Sequence, residues 1–96
     1  MTATLVVHDP RGYAPVVTGK TLAPRLASLD AKRIALVDCL FDNSEVFMQQ
    51  LKAWFAEHLP AVHTEIYKPR ESWEDDPAMR ARVEREADAA ILGVGL

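Results

Sequence analysis

The chain has 96 residues, with 14 acidic and 11 basic side chains and a formal net charge of -3 at pH 7. Hydrophobic residues make up 49% and charged residues 26%, which is typical of one small globular domain and excludes the disordered and fibrous classes. The sequence also lacks the clustered basic face of a nucleic-acid-binding domain and any apolar run near the ~18 residues of a membrane span.

Residues 1–30 are predicted to form an N-terminal arm, and residues 31–96 the folded part. Prolines and glycines interrupt the arm at Pro10, Gly12, Pro15, Gly19 and Pro24. Turn-forming residues at positions 9–12 follow a short apolar run and precede another, so the arm could form a β-hairpin. Residues 22–29 are expected to cross the core as an extended segment or a short helical turn.

The first core element is predicted at residues 33–38, an apolar run without alternation. Such a run indicates a strand buried on both faces, and we interpret it as the central strand of a sheet. A helix is expected to follow, with Asp42 or Ser44 as its N-cap, Glu45 completing a capping box, and Pro60 ending it.

The predicted helix has one wide apolar face, because its large apolar residues recur at steps of three and four. These residues are Val46, Phe47, Leu51, Trp54, Phe55 and Leu59. Phe47, Leu51 and Phe55 are expected to make the main contact with the central strand.

A second strand is predicted at residues 62–67, where apolar and polar residues alternate as they do in an edge strand. Asp75, Asp76 and Pro77 then supply an N-cap with proline in the first turn. The second helix is expected to run to about residue 87, with Met79 and Val83 facing inward and Arg82 to Glu86 as an exposed pair.

The third strand is predicted at residues 89–96. Right-handed crossovers place the three strands in the order 2-1-3, which gives a partial three-layer α/β fold with a parallel βαβαβ core. This is the first half of a flavodoxin-like or Rossmann-like domain. The third strand is as apolar as the first and has a free outer edge, so we expect it to self-associate with a second copy or to be covered by residues 1–20.

In parallel α/β sheets, ligands bind in loops beyond the carboxyl ends of the strands. The candidate ligand-binding residues in such positions are Asp38, Cys39, Asn43, Ser44, Gly93 and Gly95. A structural explanation exists for each: Cys39 as a small buried hydrophobe, the polar residues as turn and capping groups, and the glycines as a turn without the helix of a phosphate-binding motif.

The sequence predicts no cofactor and no metal site, and it assigns no catalytic residue within the chain. The loop after the first strand lacks the glycines that cradle phosphate, and His8, His58 and His63 have no metal-ligand spacing. Cys39 is the single cysteine, so no internal disulfide can form. The first residues do not resemble a secretion signal, and we expect a cytoplasmic protein.

Three segments of the chain carry a family resemblance: TLAPRL at 21–26, LDAKRIALVD at 29–38 and ADAAILGVG at 87–95. Together they resemble the UGSC-motif family of bacterial proteins, some of which are selenoproteins. In that family the strand equivalent to residues 90–95 runs into a selenocysteine or cysteine followed by Gly-Ser-Cys, and the sheet continues. The naming motif itself is absent from this chain.

The resemblance implies a thiol- or selenol-dependent oxidoreductase whose catalytic residues lie beyond Leu96, so that the 96 residues alone would be inactive. Because UGA encodes selenocysteine, we expect that the chain stops at a selenocysteine codon. A cloning boundary and a true short paralogue are the alternatives. The competing functional interpretation is a non-catalytic α/β module that binds a partner through the third strand's edge or a ligand through residues 39–44.

Overall fold

The structure is a computed structural model, and it describes residues 3–16, 18–72 and 74–95. Its elements in chain order are β1 (Arg33–Asp38), α1 (Ser44–His58), β2 (His63–Tyr67), α2 (Pro77–Glu86) and β3 (Ala89–Gly93). The strands form one parallel sheet in the order β2-β1-β3. The α/β class and the strand order predicted from the sequence are confirmed.

The central strand β1 is buried on both faces, as its unbroken apolar sequence predicts. Ile34 and Leu36 face α1, and they pack with Met48 and Phe55. Ala35 and Val37 face the other side and pack with Tyr67, where Met79 and Val83 of α2 cover them. One helix therefore lies on each face of the sheet.

The buried stripe of α1 differs from the predicted one at one position. Met48 and Phe55 are buried and Leu51 packs beside them, whereas the side chain of Phe47 is 53% exposed. Residues 48, 51 and 55 follow steps of three and four, and Phe47 lies about 100° around the helix from Met48. The contact predicted for Phe47 is thus wrong, and Met48 takes its place.

The start of α1 also departs from the prediction, because neither Asp42 nor Ser44 caps it. Asn43 is the N-cap, in a left-handed conformation with φ 62°, and its side chain makes no capping hydrogen bond. Ser44 is instead the first helical residue and is buried. The helix ends at His58, two residues before Pro60, where the N–H of Leu59 donates to the carbonyl of Phe55.

The predicted start of α2 is confirmed. Asp76 is the N-cap and its carboxylate accepts the N–H of Met79 at 3.1 Å, with Pro77 in the first turn. The same carboxylate accepts the N–H of Arg70 at 3.1 Å, which holds the preceding loop against the helix. These hydrogen bonds, first of all that from Met79, keep the pKa of Asp76 below its usual range.

The third strand is shorter than predicted and ends at Gly93. In the described part of the chain it pairs with β1 alone, so its outer edge is open. Leu92 in this strand is 69% exposed.

In the part of the arm that the structure describes, the two apolar runs do not pair as a β-hairpin. Residues 3–16 contain no strand and are exposed, so they do not cover β3 either. The turn region does form a local ion pair, in which Arg11 Nη2 lies 2.7 Å from Asp9 Oδ2. The flanking apolar runs are only about three residues long, too short for a two-stranded hairpin to be stable without packing. Val17 lies outside the described residues.

Residues 22–29 are irregular, so of the two conformations expected for them the helical turn is not formed. Leu26 and Leu29 line a shallow groove together with Ala89 and Ala90 at the start of β3. Neither described helix is long and apolar enough to cross a lipid bilayer.

Candidate functional site

The carboxyl ends of β1 and β3 meet at one edge of the sheet. The N–H of Cys39, directly after β1, donates to the carbonyl of Gly93 at 2.8 Å. The start of α1 reaches the same carbonyl through Ser44. Four of the six candidate residues, Asp38, Cys39, Ser44 and Gly93, are thereby brought together.

Ser44 is fully buried and connects α1 to the end of β3. Its hydroxyl donates to the carbonyl of Gly93 at 2.8 Å and accepts the N–H of Val94 at 2.9 Å. Both hydrogen bonds span about fifty positions of sequence, and they use the hydroxyl as donor and acceptor at once. The hydroxyl is therefore engaged by the chain itself.

Asp38 shapes the turn that leaves β1. Its side chain is 1% exposed, and its carboxylate accepts the N–H of Leu40 at 2.8 Å. Leu40 has a left-handed φ of 64°, a conformation that non-glycine residues seldom adopt. The aspartate thus holds a tight turn, which accounts for a buried carboxylate at the strand end.

Cys39 is half-buried, and its thiol points back toward its own strand, with Sγ 3.9 Å from the carbonyl of Val37. Within the described ranges, no three His, Cys, Asp or Glu side chains converge in a way that could hold a metal ion. Cys39 is the single cysteine of the sequence, so its thiol has no second thiol in the chain with which to form a disulfide.

Asn43 and Gly95 lie at the rim of this edge and are exposed. Gly93 is tightly enclosed, because a Cβ added there would lie 2.7 Å from the Cε of Met48. Because glycine has no side chain, β3 can approach α1 closely at Gly93. Ligand binding by the six candidate residues stays a prediction; the structure gives Asp38, Ser44 and Gly93 definite structural contacts.

A second polar cluster, which the sequence analysis did not single out, joins β2 to α2. The hydroxyl of Tyr67 donates to Glu86 at 2.7 Å and approaches Glu65 at 3.3 Å. The guanidinium of Arg82 lies 4.8 Å from the ring centroid of Tyr67 and pairs with both carboxylates, at 3.3 Å to Glu65 and 3.2 Å to Glu86. Two features of the sequence are related to this cluster: the alternation of apolar and polar residues at 62–67 and the four-residue spacing of Arg82 and Glu86.

Burial and the two carboxylates raise the pKa of Tyr67 to about 12. The hydrogen bond from Tyr67 in turn lowers the pKa of Glu86. The cluster is satisfied internally, and it fixes α2 onto the sheet.

The protein is a parallel α/β protein with one helix on each face of its sheet. The loops after β1 and β3 and the start of α1 meet at the edge formed by the carboxyl ends of these strands. A family model, described as the UGSC family, matches residues 6–96. The chain belongs to the UGSC family. No curated protein and no solved structure matches it.

Proposed function

We propose that this chain is the N-terminal part of a UGSC-family thiol- or selenol-dependent oxidoreductase. The observation that carries the proposal is the open outer edge of β3 in a chain of this family. Stable domains shorten, charge or cover such an edge strand, or pair it with a further strand. A continuing sheet is what the family resemblance implies, with its redox pair in the segment that follows residue 96.

The proposed chemistry is exchange with a disulfide substrate. The selenolate or thiolate attacks one sulfur of the substrate disulfide, and the first substrate thiolate leaves. The resolving cysteine then gives up its proton, and its thiolate attacks the selenium or sulfur of the mixed intermediate, so that the second substrate thiolate leaves. The two released thiolates take up protons. The substrate gains two electrons and is reduced to two thiols, while the enzyme is oxidised to a selenenylsulfide or disulfide.

The position of the proposed redox pair fits this chemistry. Strand-end loops are where parallel α/β proteins place reactive groups, and β3 delivers the chain to the edge that also holds Cys39 and Ser44. Selenols are largely ionised at neutral pH, so the attacking group would be in its reactive form. A reducing compartment such as the cytoplasm would keep this group from being oxidised between reactions.

The 96-residue chain alone is proposed to be inactive. Its only thiol, Cys39, lies in the loop after β1 and has no second cysteine with which to close a disulfide. A single thiol can form mixed disulfides but cannot resolve them within the chain.

The test compares this chain with an extended chain, continued through selenocysteine or cysteine, Gly-Ser-Cys and the rest of the sheet. Reduction of hydroxyethyl disulfide, with dithiothreitol as the final reductant, should proceed with the extended chain and not exceed the rate of free cysteine with the 96 residues. The codon after Leu96 supplies a check on the gene: UGA followed by a Gly-Ser-Cys frame supports the proposal. A UAA or UAG codon without a continuing frame contradicts it.

The exposure of β3 favours a second candidate function, a non-catalytic module that docks through this edge. We propose that the 96-residue chain pairs with a second copy there. Residues 89–93 carry no charge, so two copies of the strand can approach without repulsion, and Leu92 would lose much of its 69% exposure. Pairing of this kind needs no chemistry at the carboxyl edge.

A further inference from the structure

We propose that two copies of this chain associate through one apolar surface that spans β3 and the neighbouring flank of α1. The α1 flank consists of Phe47, Leu51 and Trp54, which follow steps of four and three and therefore share one side of the helix. The inference rests on the second proposed function, the pairing of two copies at β3, and it extends that contact from the strand edge onto the helix.

The α1 flank is turned toward β3. Glu45 pairs with Lys68, which directly follows β2, with Oε1 3.1 Å from Nζ. Phe47 lies two residues after Glu45 and so about 200° around the helix axis from it, and Trp54 lies two turns beyond Phe47. Because β2 and β3 lie on opposite sides of β1, the flank that is turned away from β2 is turned toward β3.

The α1 flank and the adjoining part of β3 expose apolar side chains. Phe47 and Trp54 are each about half exposed, and they line a shallow groove with Leu51. Ile91 is paired in register with Leu36, which packs against α1, so Ile91 lies on the same face of the sheet and is partly exposed there. The exposed apolar surface therefore extends from the helix onto the strand.

The ring of Trp54 is held in place by its own helix. It contacts the ring of Phe55 edge-on, with the centroids 5.4 Å apart, and it stacks on the imidazole of His58 at 4.8 Å. A side chain that is already ordered loses little freedom on docking, and tryptophan is enriched among the residues that dominate binding at interfaces. We expect Trp54 to anchor the contact.

The absence of charge favours a second copy as the occupant of this surface. The three residues of the α1 flank and residues 89–93 include no Asp, Glu, Lys or Arg, so the surface can meet its own copy without like-charge repulsion. An aromatic side chain offers about 150–250 Å², so Phe47 and Trp54 together leave roughly 200 Å² uncovered. With Ile91, Leu92 and the edge of β3, two copies would bury on the order of 1,000 Å², the size at which specific interfaces begin.

A two-fold axis perpendicular to the sheet brings both parts of the surface into contact at once. It pairs β3 antiparallel with β3 of the second copy and keeps the two α1 helices on one face. Since α1 packs over β1, the two helix axes would lie three strand spacings apart, ~14 Å. This exceeds the about 8–10 Å of direct helix packing, and the large side chains of Phe47, Trp54 and Ile91 are placed to fill the space between the helices.

The first measurement is the association constant of the 96-residue chain, from light scattering over a range of concentrations. Phe47→Lys places a charge on the α1 flank and should lower the constant at least about tenfold. Val46→Lys is the matched control and should keep it, because Val46 is exposed and points about 100° away from Phe47. Both variants should keep the Tm of the dilute, monomeric protein. An unchanged association constant in Phe47→Lys overturns the proposal.

The second measurement leaves the proposed surface unchanged. In Trp73→Phe, Trp54 is the single tryptophan, and its fluorescence should shift to longer wavelength as dilution dissociates the dimer and exposes the indole to water. An emission maximum that stays constant while light scattering reports dissociation overturns the proposal. A constant long wavelength would show that the α1 flank stays uncovered in the dimer, and a constant short wavelength that the single chain already covers it.

The helix contact and the strand pairing can fail separately. If Leu92→Lys dissociates the dimer and Phe47→Lys does not, strand pairing stands and the α1 flank is not part of the interface. If Phe47→Lys dissociates the dimer and Leu92→Lys does not, strand pairing fails and the contact of the α1 flank stands. A chain that is monomeric at all concentrations tested contradicts both.

Discussion

At the scale of single residues, the sequence predicts that α1 has an apolar face but does not identify every residue on that face. Apolar steps of three and four predicted α1 and correctly placed Phe55 and Leu51 in its buried face. They could not choose between Phe47 and Met48, because a helix with apolar residues around much of its surface offers several overlapping stripes. The choice depends on how the helix lies on β1, which is a tertiary property.

Phe55→Ala should lower the free energy of unfolding by about 3–5 kcal/mol, because it empties a buried aromatic site. Phe47→Ala is the matched control and should change it by less than about 1 kcal/mol, since an exposed side chain leaves no cavity. Urea denaturation of both variants measures the difference. Equal losses for the two phenylalanines would contradict the observed face of α1.

Tyr67 should make the fold sensitive to alkaline pH. Its folded pKa of about 12 lies above the ordinary value of 10.0, so its contribution is complete below pH 10 and is lost as the pH rises toward 12. In that window the unfolded chain has released the proton and the folded chain still holds it, so the free energy of unfolding falls with pH.

Urea midpoints measured between about pH 9 and 12 test this prediction. Tyr67→Phe should flatten the fall, while Tyr13→Phe should leave it unchanged because Tyr13 is exposed on the arm. The same alkaline slope in both variants would contradict the role given to the cluster around Tyr67.

At the scale of elements, the sequence predicted the strands and helices well and their ends less well. Asp76 and Pro77 are a local signal and fixed the start of α2 correctly. The N-cap predicted for α1 is wrong, because Ser44 has the chemistry of an N-cap but its hydroxyl makes a long-range contact with Gly93 and Val94. That contact depends on β3 and has no local sequence signal.

The same limit applies to the candidate site. The rule that loops meet at the carboxyl ends of parallel strands brought Cys39 and Gly93 together from sequence alone. It could not show that Asp38 holds its own turn or that the Ser44 hydroxyl is already engaged, because both facts depend on side-chain geometry.

The open edge of β3 should cause the 96-residue chain to self-associate. Light scattering after size exclusion should give a dimer or larger species, and Leu92→Lys should shift it to monomer because a charge on an edge strand opposes pairing. Val46→Lys, on an exposed position of α1, is the matched control and should not shift it. A monomer for the unmodified chain at all concentrations tested would contradict pairing through β3.

At the scale of the whole molecule, we expect the first twenty residues of the arm to contribute little to the stability of the folded part. Residues 3–16 are exposed, and the hydrogen bonds described for them join Arg11 to Asp9 within the arm. Deleting residues 1–20 should leave Tm unchanged in a thermal melt followed by circular dichroism. A fall of more than about 4 °C, roughly 1 kcal/mol for a domain of this size, would show that the arm supports the core.

The central claim is that the reactive group of this UGSC-family protein lies after β3 and not at Cys39. Iodoacetamide reactivity against pH, measured on the 96-residue chain and on the extended chain, tests it most directly, with Cys39→Ser in each. We predict that only the extended chain has a group that reacts well below pH ~8, and that this group persists in Cys39→Ser. A reactive thiol below that pH in the 96-residue chain, lost in Cys39→Ser, would contradict it and make Cys39 the site.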